Sequence, residues 1–158
     1  IAEYIEEEIG HQEWILNDLA ACGVDPDAVR HGAPGAATEL MVAYAYDTVM
    51  RRNPMGFFGM VFVLEGTSVA LALNAADRIQ KTLQLPARAF SYLRSHGELD
   101  QEHVGDLESI LGRLTDAADR AAVIRCAKGV FWLYGNMFRG LEADVAAKRD
   151  AAPSRLRA

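Results

Sequence analysis

Leu93-Arg94-Ser95-His96-Gly97-Glu98-Leu99-Asp100-Gln101-Glu102-His103-Val104-Gly105-Asp106-Leu107 reads as one helix whose apolar stripe is interrupted three times. At helical spacing the stripe runs Leu93, 96, 100, 103, Leu107, Leu111, Leu114. Three of those slots hold His96, Asp100 and His103, while Arg94, Glu98, Gln101 and Glu102 fall on the opposite, solvent-like side. Steps of four and three residues put the three interrupting side chains on one face. Burying an imidazole–carboxylate–imidazole ladder is costly unless something binds it, and a metal ion would compensate. The plain alternative is a solvated His–Asp pair one turn apart.

Two other stretches repeat the anomaly. Phe57-Phe58-Gly59-Met60-Val61-Phe62-Val63-Leu64-Glu65-Gly66 places one carboxylate, Glu65, at the end of an apolar run. A carboxylate so placed must be neutralised, paired or metal-bound. The N-terminal helix has a stripe of Ile1, Tyr4, Glu8, His11, Ile15 and Leu19, so Glu8 and His11 occupy apolar slots. Glu-x-x-His is the spacing by which helical bundles present a carboxylate and an imidazole to one iron. Glu3, Glu6, Glu7 and Glu13 belong to the wet face, although Glu7, four residues before His11, competes with Glu8 for the ligand role. Together Glu8, His11, Glu65, His96, Asp100 and His103 form a set of three carboxylates and three imidazoles. That set suits iron, with manganese as the alternative, better than a structural zinc, which would take four ligands and often thiolates.

The rest of the chain reads as helices without strand alternation. The first is expected from the N-terminus to Ala21, ended by Gly23 and Asp25-Pro26. A loop follows over 22–35, with one helical turn around Ala28. A second helix covers Ala36 to Arg52, stopped by Asn53-Pro54. A third runs from Met55 to Leu85, with Gly56, Gly59 and Gly66 marking a bend or a close helix contact. The fourth extends from Pro86 to Leu114. The fifth is capped by Thr115 and reaches Lys148, with a stripe of Val123, Ala127, Val130, Phe131, Tyr134, Phe138 and Leu141. The expectation is an all-α helical bundle, orthogonal or up-down, forming a single domain over 1–150 with a flexible tail over 151–158. The chain opens at Ile1 already in helical pattern, so a further N-terminal helix is expected to be missing.

Composition narrows the function classes. The chain has 158 residues, enough for one domain with a core, and a formal charge of −6 with no basic face to neutralise phosphates, which argues against a nucleic-acid partner. Cys22 and Cys126 form no CxxC pair, so two free buried thiols in a reducing, cytoplasmic setting are expected. The apolar run Phe57 to Leu64 is eight residues long and ends at Glu65, too short for a bilayer. No nucleotide-binding or serine-hydrolase motif occurs. His31 is expected to be exposed, and Trp14, Trp132, Tyr44, Tyr46 and Tyr134 to be core. Phe58, Val61, Phe62 and Met60 either pack the core or form an apolar wall beside a metal.

The motifs Glu8-x-x-His11-x-x-Trp14, Leu64-Glu65-Gly66 and His96-x-x-x-Asp100-x-x-His103, in that order and over residues 1–141, resemble the haem-oxygenase-like diiron oxidases and oxygenases. The resemblance implies a haem-oxygenase-like helical fold that binds two irons instead of haem. It also implies activation of O2 and oxidation of a small carboxylate- or amine-bearing substrate. In that picture all six residues are metal ligands, and Glu65 and Asp100 act in catalysis, Glu65 as a carboxylate that bridges or shifts. The partner is a small-molecule substrate, with a homodimer allowed for. Relatives of the same fold supply one alternative, a metal-independent enzyme of the thiaminase II or pyrroloquinoline quinone synthase type, and a non-enzymatic helical interaction module is the remaining one.

Overall fold

In a computed structural model the chain is described over residues 2–151, and the predicted tail, from residue 152 on, lies outside the described residues. Seven α-helices and no strands occur among the described residues: α1 (Ala2–Glu8), α2 (His11–Ala21), α3 (Pro26–Arg30), α4 (Ala36–Arg51), α5 (Phe57–Leu83), α6 (Ser91–Gly112) and α7 (Ala117–Ala151). Short 3-10 turns, Pro54–Gly56 and Ala87–Phe90, lead into α5 and α6. The chain's described residues group into two compact units.

The first unit comprises Ile1–Ala33 and Phe62–Arg113. Its apolar centre is Ala76, Ala89 and Phe90, with Ala21, Leu85 and Leu93 packed against it. The N-terminal helix, expected to run unbroken to Ala21, is in fact two helices. Gly10 between them has φ +96°, a left-handed conformation that a side-chain-bearing residue adopts only at a cost, and the chain turns there. The break falls between Glu8 and His11, so the Glu-x-x-His spacing is not that of a continuous helix. At the start of α6, buried Asp18 of α2 accepts hydrogen bonds from the Ser91 hydroxyl (2.5 Å) and the Tyr92 backbone N–H (2.9 Å). A carboxylate at a helix start satisfies otherwise orphaned N–H groups and complements the helix dipole.

The second unit comprises Pro34–Val61 and Leu114–Ala158, in which α4 and the Pro54–Gly56 turn pack on α7. Met41, Ala45, Val123, Cys126, Val130 and Leu133 are buried there. The glycine expectation is met at two of its three positions. A Cβ on Gly59 would lie 2.2 Å from the Val123 carbonyl oxygen, and one on Gly56 2.8 Å from the Thr48 side chain, whereas one on Gly66 would meet nothing within 4 Å. The cap of α7 is Asp116, not Thr115: its carboxylate accepts from the N–H groups of Ala118 and Asp119. A cavity of about 340 Å³ in this unit is lined by Tyr44, Thr48, Arg52, Arg125 and Cys126 among others, and contains none of the six candidate ligands.

Several burial expectations fail. Phe131, Trp132, Phe138 and Leu141 on α7, and Tyr46 on α4, are more than half exposed, because the α7 stripe that is covered is narrower than its apolar composition suggests. Phe62 is also exposed, which weakens the idea of an apolar wall there. Cys22 is exposed, whereas Cys126 is buried. The apolar character of α5 does not stop at Glu65. Pro54–Leu83 is 30 residues with a mean hydropathy of 1.8 in its most apolar window, because small neutral residues continue beyond Glu65. By length and composition alone it could cross a membrane, a test that the core helix of a soluble protein passes equally.

Candidate metal centre

All six predicted ligands lie in the first unit, on four helices: Glu8 ends α1, His11 starts α2, Glu65 lies on α5, and His96, Asp100 and His103 lie on α6. Glu65, His96 and Asp100 are among the few buried polar residues, at 6%, 6% and 2% exposure. Side chains of Glu8, His11 and His96 bring ligand atoms within 4.8 Å of one another, and so do those of Glu8, Glu65 and His103. Glu8 is therefore common to two ligand groups, whereas Glu65, expected as the bridging carboxylate, falls in one.

In the first group the His11 Nδ1–H donates to Glu8 Oε2 at 3.0 Å. The His11 ring stacks on Trp14 with centroids 4.2 Å apart and meets His96 edge-on at 4.8 Å. His96 Nδ1 lies 3.0 Å from the Tyr92 carbonyl oxygen, which only accepts, so the proton sits on Nδ1 and Nε2 carries the lone pair. That Nε2 is buried and has no hydrogen-bond partner. A bare imidazole nitrogen out of water is expensive unless an ion takes it. A ring nitrogen held by a carbonyl while the other faces acidic groups is the usual arrangement of a metal-binding histidine.

The second group is built around His103. Its Nδ1 lies 3.8 Å from Glu8 Oε1, 3.7 Å from Glu65 Oε1 and 3.9 Å from Asp100 Oδ1. These separations exceed a hydrogen bond but match donor atoms around one ion, since bonds of about 2.1 Å place neighbouring ligand atoms roughly 3–4 Å apart. Asp100 belongs to neither tight group. Burial raises its carboxyl pKa, opposed by a hydrogen bond from the Ser68 side chain and by the nearby imidazoles of His96 and His103, with Glu8 adding to the rise. The competing residue Glu7 joins neither group. It lies at the other side of the His103 ring, 3.1 Å from Nε2.

The donor set thus fits divalent metal, with carboxylates for charge neutralisation and imidazoles for affinity. Asp18, Ser68 and Tyr92 support the site and were not singled out in the sequence. Asp18 does carry a legible signal, an acid inside Ile15-Leu16-Asn17-Asp18-Leu19-Ala20. Ser68 lies one turn beyond Glu65, but a lone serine on an apolar helix announces nothing.

Comparison with known proteins gives a family and a fold. The family described as iron-containing redox enzymes matches residues 1–135. A solved structure from Shewanella denitrificans OS217, described as a domain of unknown function with a heme oxygenase-like fold, matches with a TM-score of 0.86. The match covers 99% of this chain and 67% of that one at 22% identity, a likeness that shows the haem-oxygenase-like fold alone. No curated protein matches the chain.

Proposed function

The chain belongs to the iron-containing redox enzyme family, and we propose that it is a non-haem diiron oxidase or oxygenase that uses O2 to oxidise a small carboxylate- or amine-bearing substrate. The observation that carries this reading is the sharing of Glu8 between two separate ligand groups, Glu8–His11–His96 and Glu8–Glu65–His103. A carboxylate has two oxygens and can join two cations, which a mononuclear site would not require. In this assignment His11 and His96 would hold one iron and Glu65, Asp100 and His103 the other, with Glu8 available to both. The iron pair, when bound, supplies the electrons that reduce dioxygen.

The protein's own residues orient and shield. The Tyr92 carbonyl fixes the His96 ring, the Ser68 side chain holds Asp100, and Trp14 covers one face of His11. Glu65 and Asp100 are the carboxylates best placed to take up or release charge during turnover, being buried beside His103. The reading includes a cytoplasmic setting, α5 as a core helix, and a small molecule as partner.

Anaerobic loading of the full chain with Fe(II), removal of unbound metal and metal analysis test it. About two irons per chain are expected. A chain that retains none, while catalysing a thiaminase- or quinone-forming reaction, would establish the metal-independent alternative instead. Retention of a single iron would also end the diiron reading.

A further inference from the structure

We infer that Glu7 is a positioning residue that orients His103 and leaves its Nδ1 to take the metal, an inference that rests on the two-metal reading above. Glu7 and Glu8 are neighbours at the end of α1, yet they address opposite nitrogens of the same imidazole. Glu7 Oε2 lies 3.1 Å from His103 Nε2, and Glu8 Oε1 lies 3.8 Å from His103 Nδ1. A carboxylate only accepts, so the shared proton sits on Nε2, and the form of the ring that can bind a metal has its lone pair on Nδ1. That nitrogen is the one facing Glu8, Glu65 and Asp100 at 3.7–3.9 Å. The exposures of the two acids divide in the same way: the Glu7 side chain is 55% exposed and the Glu8 side chain 33%, while His103 is only 12% exposed. Glu7 therefore stands at the rim, and Glu8 on the inner side of the ring.

The same device occurs at His96, where the Tyr92 carbonyl takes Nδ1 and leaves Nε2 inward. The two α6 histidines thus offer opposite nitrogens, Nε2 from His96 and Nδ1 from His103, and each has its outer nitrogen engaged. Carboxylate contacts of this kind raise imidazole basicity and remove rotational freedom before the ion arrives, and their loss commonly weakens metal binding about 10- to 100-fold. Consecutive residues of a helix point in different directions around its axis, so Glu7 and Glu8 at the end of α1 can lie on either side of the His103 ring, and the turn at Gly10 then starts His11 on a new helix.

Titration of the 158-residue chain with Fe(II) or Co(II) under anaerobic conditions tests the inference, with wild type, Glu7→Gln, Glu7→Ala and Glu6→Gln compared by stoichiometry, competition affinity and Co(II) absorption. Wild type binding about two ions is the control for the underlying reading, and a failure there removes that reading rather than this one. Glu7→Gln keeps an acceptor for Nε2–H and should hold both ions within a few-fold of wild type. Glu7→Ala should weaken one of the two ions about 10- to 100-fold and shift its Co(II) bands, and Glu6→Gln should change nothing. If Glu7→Ala binds both ions as wild type does, Glu7 positions nothing. If Glu7→Gln loses an ion as completely as Glu7→Ala, Glu7 is itself a ligand, and the inference is overturned equally.

Discussion

The Asp18 carboxylate accepts the Tyr92 backbone N–H at 2.9 Å, and four residues later in the same helix His96 Nδ1 lies against the Tyr92 carbonyl at 3.0 Å. One peptide-bearing residue thus connects a buried acid on α2 to a histidine of the metal centre. Asp18→Ala should remove two hydrogen bonds, from the exposed Ser91 hydroxyl and the half-buried Tyr92 N–H, at about 0.5–1.5 kcal/mol for each bond. Urea unfolding should show a lowered midpoint with unchanged slope. Because α6 begins at this contact, metal affinity should also fall while far-ultraviolet circular dichroism stays helical. A variant as stable as wild type would mean that water replaces the lost partner.

The two ligand groups predict unequal effects of single carboxylate removal. Glu8→Ala takes a ligand from both groups and should weaken both ions, whereas Glu65→Ala takes one from the His103 group and should leave one ion bound. Asp100→Ala and His103→Ala should resemble Glu65→Ala, with the helices intact. Iron content after gel filtration, measured beside a ferrous chelator competition, distinguishes the cases. Identical residual iron in Glu8→Ala and Glu65→Ala would remove the bridging role from Glu8.

Polar residues in apolar slots were readable because burial of charge demands compensation, so Glu65, His96 and Asp100 stood out from the spacing alone. The helices are readable for a related reason, since Asn53-Pro54 ends α4 where backbone chemistry requires, although Pro86 opens only the 3-10 turn and α6 itself starts at Ser91. What stayed hidden depends on tertiary contact. The break at Gly10 looks in sequence like any helical glycine, and only the observed φ of +96° reveals a turn between the two N-terminal ligands. The choice between Glu7 and Glu8 could not be made from spacing, because both sit within one turn of His11. Apolar stripes also overstate burial: Phe131 and Phe138 continue the α7 pattern, yet both are more than half exposed.

Glycine close packing gives a stability prediction in the second unit. Gly59→Ala would push a methyl to 2.2 Å from the Val123 carbonyl oxygen, and a backbone atom cannot rotate away as a side chain could. The strain should cost at least the roughly 1–3 kcal/mol usual for overpacking. Gly140→Ala, within α7 and with nothing within 4 Å of the new methyl, is the control. It should be neutral or stabilise by about 0.5–1 kcal/mol, because alanine is the better helix former. Thermal melts that rank Gly59→Ala at or above Gly140→Ala would contradict the packing described between α5 and α7.

The two thiols should differ in chemistry, and the burial of one should appear in the pH dependence of stability. Burial pushes the Cys126 thiol above its ordinary value of 9.0, against hydrogen bonds involving Thr48 and the Met60 backbone, whereas Cys22 is exposed. A thiol reagent at neutral pH should therefore modify one cysteine quickly and the second only after unfolding. Burial likewise raises the Tyr44 and Tyr134 hydroxyls above their ordinary 10.0. For a group with a raised folded pKa, the folded chain keeps its proton when the unfolded chain has lost it. Its contribution is complete below the unfolded pKa and declines as pH rises through the folded value. Unfolding free energy should thus begin to fall above about pH 9 as unfolded Cys126 ionises, and fall more steeply above about pH 10 as the tyrosines follow. Cys126→Ala should remove the first part of that decline and leave the second. A stability profile flat from pH 8 to 11, or two thiols that react equally fast in the folded protein, would show that Cys126 is not buried as described.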